Sequence, residues 1–414
     1  MITNPPNHRV VVTGLGAVTP LGPDAGATWR ALIAGRDAAA PVTLFDTSGC
    51  RARMGATAEL PPLPQIGAKK LSRLSRASRL AILAAQEALC QSGLLDSVGR
   101  SLQKTLPLSV STSAGGMALG EDFVRRCLEG RKRAGQLFRA ARYQPQQQVL
   151  DLQEFLGFSG PATIIANACA SGANSVGQAA DWIRLGWNDC VLAGGYEALT
   201  ELLYVGFDCI QAMTQERCRP FDRKRSGLMM GEASAFFVLE SEAHARGRGA
   251  KILCELSGYG HGTDLHHLTQ PEPAGEALIR AMTGALSQAR LPRNRIGYVN
   301  AHGTGTVLND TAEGAAYQNF FQEDLSSVRI SSTKAAIGHT LGAAGSVEAM
   351  FGVQSLMTGE IPPQINLLEP EPRLEKSLAR VGERLSDLEA VMSVNLGFGG
   401  SNAALVFSRY DSQM

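Results

Sequence analysis

The stretch Thr163-Ile164-Ile165-Ala166-Asn167-Ala168-Cys169-Ala170-Ser171-Gly172 carries the reading of the whole chain. Its β-branched opening predicts a short buried strand. The small residues from Ala170 to Leu185 predict a tightly packed helix that ends near Gly186. Cys169 falls at the junction. Unpaired backbone N–H groups and the positive end of the helix dipole favour a thiolate there, and the thiolate is the nucleophilic form. A free cysteine is also an ordinary filler of apolar cores, so this residue alone does not choose between the two roles.

Working outward, strand-like and helical segments alternate, which predicts an α/β fold. A first series of strands covers Val10–Thr13, Leu106–Ser111, Cys190–Ala193 and Ala235–Leu239, with a helix over Ser78–Leu89. A second series begins at Ile252 and covers Ile296–Asn300, Val328–Ser331, Met392–Asn395 and Ala403–Phe407. The boundary is expected near residue 250, dividing 1–250 from 251–414. A chain of 414 residues has room for a sizeable core. A net charge of +1 implies no general attraction to nucleic acid or membrane. No apolar run is long enough to span a bilayer. The start Met1-Ile2-Thr3-Asn4-Pro5-Pro6 lacks the basic-then-apolar pattern of a signal peptide. The eight cysteines are scattered without Cys-x-x-Cys pairs, which predicts reduced thiols in a cytoplasmic protein.

Three features invite other readings. Thr13-Gly14-Leu15-Gly16 resembles the opening of a dinucleotide fingerprint but lacks the third glycine, and Pro20 and Pro23 follow too soon for a long helix. His261, His266 and His267 are accompanied by no second cluster of Cys, Asp or Glu at ligand spacing, so they read as a histidine-lined turn and no metal is expected. Arg246, Arg248 and Lys251 read as a solvated connection.

Chemistry concentrates in three glycine-rich stretches that follow predicted strands. They are Asn300-Ala301-His302-Gly303-Thr304-Gly305-Thr306 with Asp310 and Glu313 beyond, Ser332-Thr333-Lys334 through His339 to Gly345, and Asn395-Leu396-Gly397-Phe398-Gly399-Gly400-Ser401-Asn402. Strand ends in α/β sheets are where ligands gather, and glycine lets backbone N–H groups approach them. Each stretch has a plain structural reading: a core histidine, a surface lysine, a turn. Their joint occurrence with Cys169, in a chain of seven histidines, favours a single site.

With Arg9-Val10-Val11-Val12-Thr13-Gly14-Leu15-Gly16, Arg219-Pro220-Phe221-Asp222 and Gly231-Glu232 added, the chain resembles over nearly its whole length the elongating, Cys-His-His class of β-ketoacyl-acyl-carrier-protein synthases. The resemblance implies a thiolase fold of two duplicated βαβαβαββ halves in five α-β-α-β-α layers, dimerised through the first half. It implies decarboxylative condensation of malonyl-carrier protein with an acyl chain held on Cys169. His302 and His339 would stabilise the enolate, Lys334 would keep His339 neutral, and Glu313 would pair with that lysine. Thr304 and Thr306 would contact a 4'-phosphopantetheine arm supplied by the acyl carrier protein, with no cofactor resident on this chain. Phe398 would gate the site, and its backbone N–H and that of Cys169 would hold the oxyanion. Carrier docking would use Lys69, Lys70 and Arg73, with Arg76 and Arg79 beside them; Arg131, Lys132 and Arg133 form a second basic run. A homodimer is expected, and a heterodimer with a second ketosynthase-like subunit is the alternative assembly.

Two departures stand out. The family's Arg-Asp-Gly-Phe reads Arg225-Ser226-Gly227-Leu228 here, and Gly-Glu-Gly-Ala-Gly reads Gly231-Glu232-Ala233-Ser234-Ala235. Leu228 is expected to reshape the acyl pocket, which is compatible with a specialised polyene or polyketide pathway. Two other readings are weighed. A chain-length factor keeps the fold but usually replaces the nucleophile, which is present here. A degradative thiolase would carry a second cysteine in the Gly397-Phe398-Gly399-Gly400 loop, which has none.

Overall fold

The structure, a computed structural model, describes residues 8–63, 67–96, 99–130 and 137–411. The readings made on Met1–Pro6 and on Arg131, Lys132 and Arg133 lie outside the described residues.

Besides a small two-stranded sheet of Ala40–Pro41 and Met54–Gly55, five strands of the main sheet precede residue 250: β1 (Val10–Val18), β2 (Leu108–Ser111), β3 (Ala162–Ile165), β4 (Cys190–Glu197) and β5 (Ala233–Ser241). Five follow it: β6 (Cys254–Thr263), β7 (Ile296–Asn300), β8 (Arg329–Ser331), β9 (Ala390–Leu396) and β10 (Ser401–Ser408). They form one ten-stranded sheet in the order β8-β7-β9-β10-β6-β1-β5-β4-β2-β3. Read outward from the centre, each half has its first strand, then its fifth, fourth, second and third. The directions repeat as well. β2 is parallel to β3 and β4 as β7 is parallel to β8 and β9, while the remaining pairs within each half are antiparallel. The halves meet where Val11 and Val12 of β1 pair with Glu255 and Cys254 of β6.

Six helices complete the layers: α1 (Arg76–Gln91), α2 (Pro145–Leu156), α3 (Ser171–Arg184), α4 (Glu276–Ala289), α5 (Val307–Phe321) and α6 (Ala344–Thr358). α1 covers β1, β5 and β4 and carries α2; α4 covers β6 and β10 and carries α5. Between the half-sheets α3 packs on α6, giving the α-β-α-β-α stack of the thiolase fold. Ala173, Val176, Ala180 and Ile183 of α3 share one core with Val347, Met350 and Phe351 of α6 and with both half-sheets.

Glycines explain the close layers. A Cβ on Gly14 or Gly16 would lie 2.1 Å from the carbonyl oxygen of Ala88 or Ala84 on α1. On β6, Gly258 and Gly260 meet Ala285 and Ala281 of α4 at 2.0 and 2.1 Å. The Gly14-Leu15-Gly16 pattern is therefore a helix-on-sheet contact, and no phosphate loop is present there. β4 runs on through Gly194-Gly195 to Glu197. β3 is not the buried strand expected: it lies at the sheet edge, pairs with β2 alone and is partly exposed. His261 stands on β6 and its ring meets Tyr259, so the three histidines do not share one turn.

Among the described residues, the tightest contact between two helices joins α3 to α6. A Cβ on Gly345 would fall 2.2 Å from the amide nitrogen of Ala173, and one on Gly172 2.5 Å from that of Ser346. Gly345→Val is expected to cost at least about 1–3 kcal/mol through overpacking. A thermal melt and a denaturant titration check this, and an unchanged Tm would contradict the contact.

Candidate active site

The two central helices begin the same way. Ala168 has φ of +58° and opens the 3₁₀ turn Ala168–Ala170 that leads into α3. Leu341 has φ of +45° and opens the 3₁₀ turn Leu341–Ala343 that leads into α6. Left-handed backbone at residues other than glycine costs energy and persists only where the surroundings impose it. Here the Gly172–Gly345 contact supplies the imposition. It also brings Cys169, in the first turn, beside His339, just before the second.

His339 Nε2 lies 3.1 Å from Cys169 Sγ. The rings of His302 and His339 are edge-on with centroids 5.3 Å apart. The ligating atoms of all three residues lie within 4.8 Å of one another, and all three side chains are buried. The proton positions follow from the hydrogen bonds. Leu341 N–H donates to His339 Nδ1 at 3.2 Å, and Lys334 Nζ sits 3.2 Å from His302 Nδ1. Burial and, behind it, the Lys334 charge hold both imidazoles well below the usual histidine range; the neighbouring ring adds to this at His302. A neutral ring whose Nδ1 accepts must carry its hydrogen on Nε2. Two Nε2–H donors therefore serve one chamber. This also argues against a metal centre, although the spacing suits one: neither Nε2 has a free lone pair to give.

Lys334 is 1 % exposed yet well held. Its ammonium pairs with Glu348, donates to the His302 carbonyl oxygen at 2.6 Å and touches His302 Nδ1. Asn395 Nδ2 secures the other Glu348 oxygen at 2.7 Å. Two expectations are corrected here. Glu313 does not pair with Lys334. Its carboxylate accepts the backbone N–H groups of His302 and Gly303, both at 2.7 Å, and the Tyr317 hydroxyl at 2.6 Å, and burial raises it to about 7. Lys334 touches His302 directly and, in keeping with its expected role, lowers His339 through its charge. The start of a helix likewise does not make Cys169 a resting thiolate. Burial pushes its thiol up to about 12, against the opposing pull of Lys334 and of the Phe398 N–H.

Cys169, His302, His339, Thr304, Thr306 and Phe398 line one cavity of about 390 Å³. The Thr304 and Thr306 hydroxyls are 2.8 Å apart. The Phe398 ring, 39 % exposed, stacks on Phe207 at 5.9 Å. Leu228 and Ser226 also line the cavity, and Ser226 Oγ bonds Thr214 Oγ1 at 2.7 Å. Lys69, Lys70 and Arg73 are exposed and away from this cavity; Lys70 meets Glu154 at 2.8 Å and Arg73 lies over the Phe138 ring. Arg76 turns inward onto Glu232, and Arg79 is half-buried, so neither belongs to that surface.

Sequence reading missed Glu348 and Glu197, and it gave Asn395, named in the third glycine-rich stretch, no role of its own. Glu348 had a visible signal, being the single charge in the otherwise uncharged segment Ala344–Thr358. Glu197 is fully buried. It accepts the N–H groups of Ser113, Ala114 and Gly342 at 2.7–2.8 Å and so fixes the turn whose Leu341 N–H orients His339.

Fold and site together define an acyl-transferring condensing enzyme with a thiol nucleophile. The sequence profile for "Beta-ketoacyl synthase, N-terminal domain" matches residues 7–245, and that for "Beta-ketoacyl synthase, C-terminal domain" matches 253–368. The chain is 33% identical over 413 residues to 3-oxoacyl-[acyl-carrier-protein] synthase 2 of Staphylococcus aureus (strain COL), covering 98% of this chain and 99% of that one. The ishigamide ketosynthase/chain length factor superposes with TM-score 0.89 at 29% identity, over 98% of this chain and all of the other. A ketosynthase solved in complex with its type II polyketide acyl-carrier protein superposes with TM-score 0.87 at 25% identity, over the same shares. The chain belongs to the β-ketoacyl synthase family, in its elongating, Cys-His-His class. No helix among the described residues is long and apolar enough to cross a membrane.

Lys334→Met removes the charge that depresses both imidazoles, so their pKa values rise toward the ordinary range. The acid limb of the pH–rate profile is expected to move to higher pH along with a loss of rate. A limb that stays in place would contradict the electrostatic role.

Proposed function

We propose that this chain extends a carrier-bound acyl chain by two carbons, with Cys169 as nucleophile and His302 and His339 as paired donors to the enolate. The observation that carries this is the convergence in a single cavity of one thiol and two neutral imidazoles, whose ligating atoms lie within 4.8 Å of one another. A thioester substrate arrives on the 4'-phosphopantetheine arm of its carrier, past Thr304 and Thr306, and no resident cofactor is needed. Cys169 Sγ attacks the thioester carbonyl as its proton leaves, and the carrier thiol departs protonated. The His339 Nε2–H and the Phe398 N–H stabilise charge on sulfur during this step, offsetting the cost of burial. A malonyl thioester follows. Loss of CO2 leaves an enolate whose oxygen is met by the two Nε2–H groups, fixed in advance by Lys334 and Leu341. The enolate carbon attacks the acyl-Cys169 carbonyl, Cys169 leaves as thiolate, and the product departs as a β-ketoacyl thioester.

The geometry supports a division of labour. His339 touches the sulfur and His302 does not, so His302→Ala is expected to leave acylation of Cys169 intact while slowing decarboxylation. Removing one preorganised donor costs about 2.7–4 kcal/mol, a rate loss of roughly a hundred- to a thousandfold. Incubation with acyl-carrier protein followed by peptide mass spectrometry reads the adduct; malonyl-carrier protein is then added and CO2 and product length are measured. An acyl group on a residue other than Cys169 would overturn the reading. Product length reports what Leu228 and Ser226 do to the pocket and separates a fatty-acid from a polyketide role. The intact Cys169–His302–His339 set disfavours the chain-length-factor alternative.

For partners we propose an acidic carrier protein docking on Lys69, Lys70 and Arg73, and a dimer whose second subunit is either a copy of this chain or a ketosynthase-like relative. The solved relatives, one with its carrier protein and one described as a ketosynthase/chain length factor, support the class of partner. The exposed charges suit electrostatic steering. Charge reversal in Lys69→Glu/Arg73→Glu is expected to raise KM for carrier-linked substrate and leave a small soluble thioester unaffected. Equal losses with both would refute the docking role.

A further inference from the structure

Beside the mouth of the cavity, a loop carrying Cys50 lies along the helix Glu201–Cys209. Three contacts set how the two run together. The Tyr204 hydroxyl donates to the Met54 carbonyl oxygen at 2.9 Å. One helical turn on, the Asp208 carboxylate accepts the N–H groups of Ala52 and Arg51, each at 2.9 Å. The Phe45 ring packs edge-on against Tyr204 at 5.4 Å. The chain from Met54 back to Arg51 thus follows the helix from Tyr204 to Asp208. One further residue on each brings Cys50 and Cys209 to the same end. Both are free thiols, Cys209 exposed and Cys50 half-buried, and Cys50 packs beside the cluster that includes Tyr204 and Met213. The proximity of Cys209 and Asp208 also contributes to raising the Cys50 thiol, after burial.

We propose that Cys50 and Cys209 form a redox-active dithiol that closes to a disulfide and stiffens the wall of the active-site mouth. Neither residue lines the cavity, and neither takes part in the condensation. The same helix bears Phe207, which stacks on the gating Phe398, and leads directly into Ile210, Gln211 and Ala212 of the cavity wall. With a peroxide as oxidant, the exposed Cys209 thiolate attacks an O–O bond and becomes a sulfenic acid, releasing water after proton uptake. The Cys50 sulfur then attacks the sulfenic sulfur, forming S–S and expelling a second water. Two thiols are oxidised by two electrons and one peroxide is reduced. The buried Cys169, with its raised pKa, is the poorer competitor for the oxidant. Tying the loop to the helix end restrains the helix that backs the Phe398 gate, so access of the long pantetheine arm suffers first.

The test is limited treatment of the full chain with hydrogen peroxide, alkylation of remaining thiols and non-reducing peptide mapping, alongside condensation assays. The expected result is a cross-linked peptide pair containing Cys50 and Cys209, with Cys169 still alkylatable. A severalfold fall in carrier-linked turnover should accompany it, reversed by dithiothreitol and absent in Cys209→Ser. Cys50 and Cys209 alkylated independently after oxidation would overturn the pairing. Equal inactivation of Cys209→Ser would overturn the link to the gate, by assigning the loss to Cys169.

Discussion

The approach of Gly172 to Gly345 is the contact on which the catalytic geometry depends. Nothing larger than a hydrogen fits where the starts of α3 and α6 cross. That crossing makes the strained turns at Ala168 and Leu341 tolerable, and each turn aims a functional group into the same space: the sulfur of Cys169 from one, the N–H that orients His339 from the other. The duplication therefore does more than repeat a fold. Equivalent turns, one in each half, have diverged into a nucleophile and a support for its neighbour.

A second constraint is the isolation of Lys334. A buried ammonium is costly unless paired, and Glu348, itself secured by Asn395, supplies the pairing. Once anchored, the cation performs two tasks. It accepts no hydrogen bond, so its contact with His302 Nδ1 fixes that ring's tautomer, and its charge adds to burial in keeping both imidazoles neutral. Neutral donors suit an enolate, because they stabilise developing charge without surrendering a proton to it. Glu313 works on the backbone instead, holding the amides of His302 and Gly303 so that the ring projects from a rigid loop.

The mouth is built differently from the floor. The catalytic groups are buried and cross-braced, whereas Phe398 is substantially exposed and is backed by one aromatic neighbour, Phe207. The preorganised donors thus sit in the braced floor, apart from this lightly held end.

The sequence by itself determined the alternation of strands and helices, the nucleophile and the two histidines, because each depends on local pattern: β-branched runs, a thiol before small residues, glycine-rich strand ends. It could not place β3 at an edge, since an apolar four-residue run looks the same whether one or both faces are covered. It could set Gly14-Leu15-Gly16 aside as a phosphate loop but could not say what the glycines serve, as the helix that needs them lies about seventy residues away. Which carboxylate neutralises Lys334 was a tertiary decision: Glu313 and Glu348 are both near it in the chain, and only the packing of α6 against β9 puts Glu348, held by Asn395, at the ammonium. The protonation of Cys169 was decided in the same way. The helix start is local and favours charge, but burial arises from the whole fold, and burial prevails.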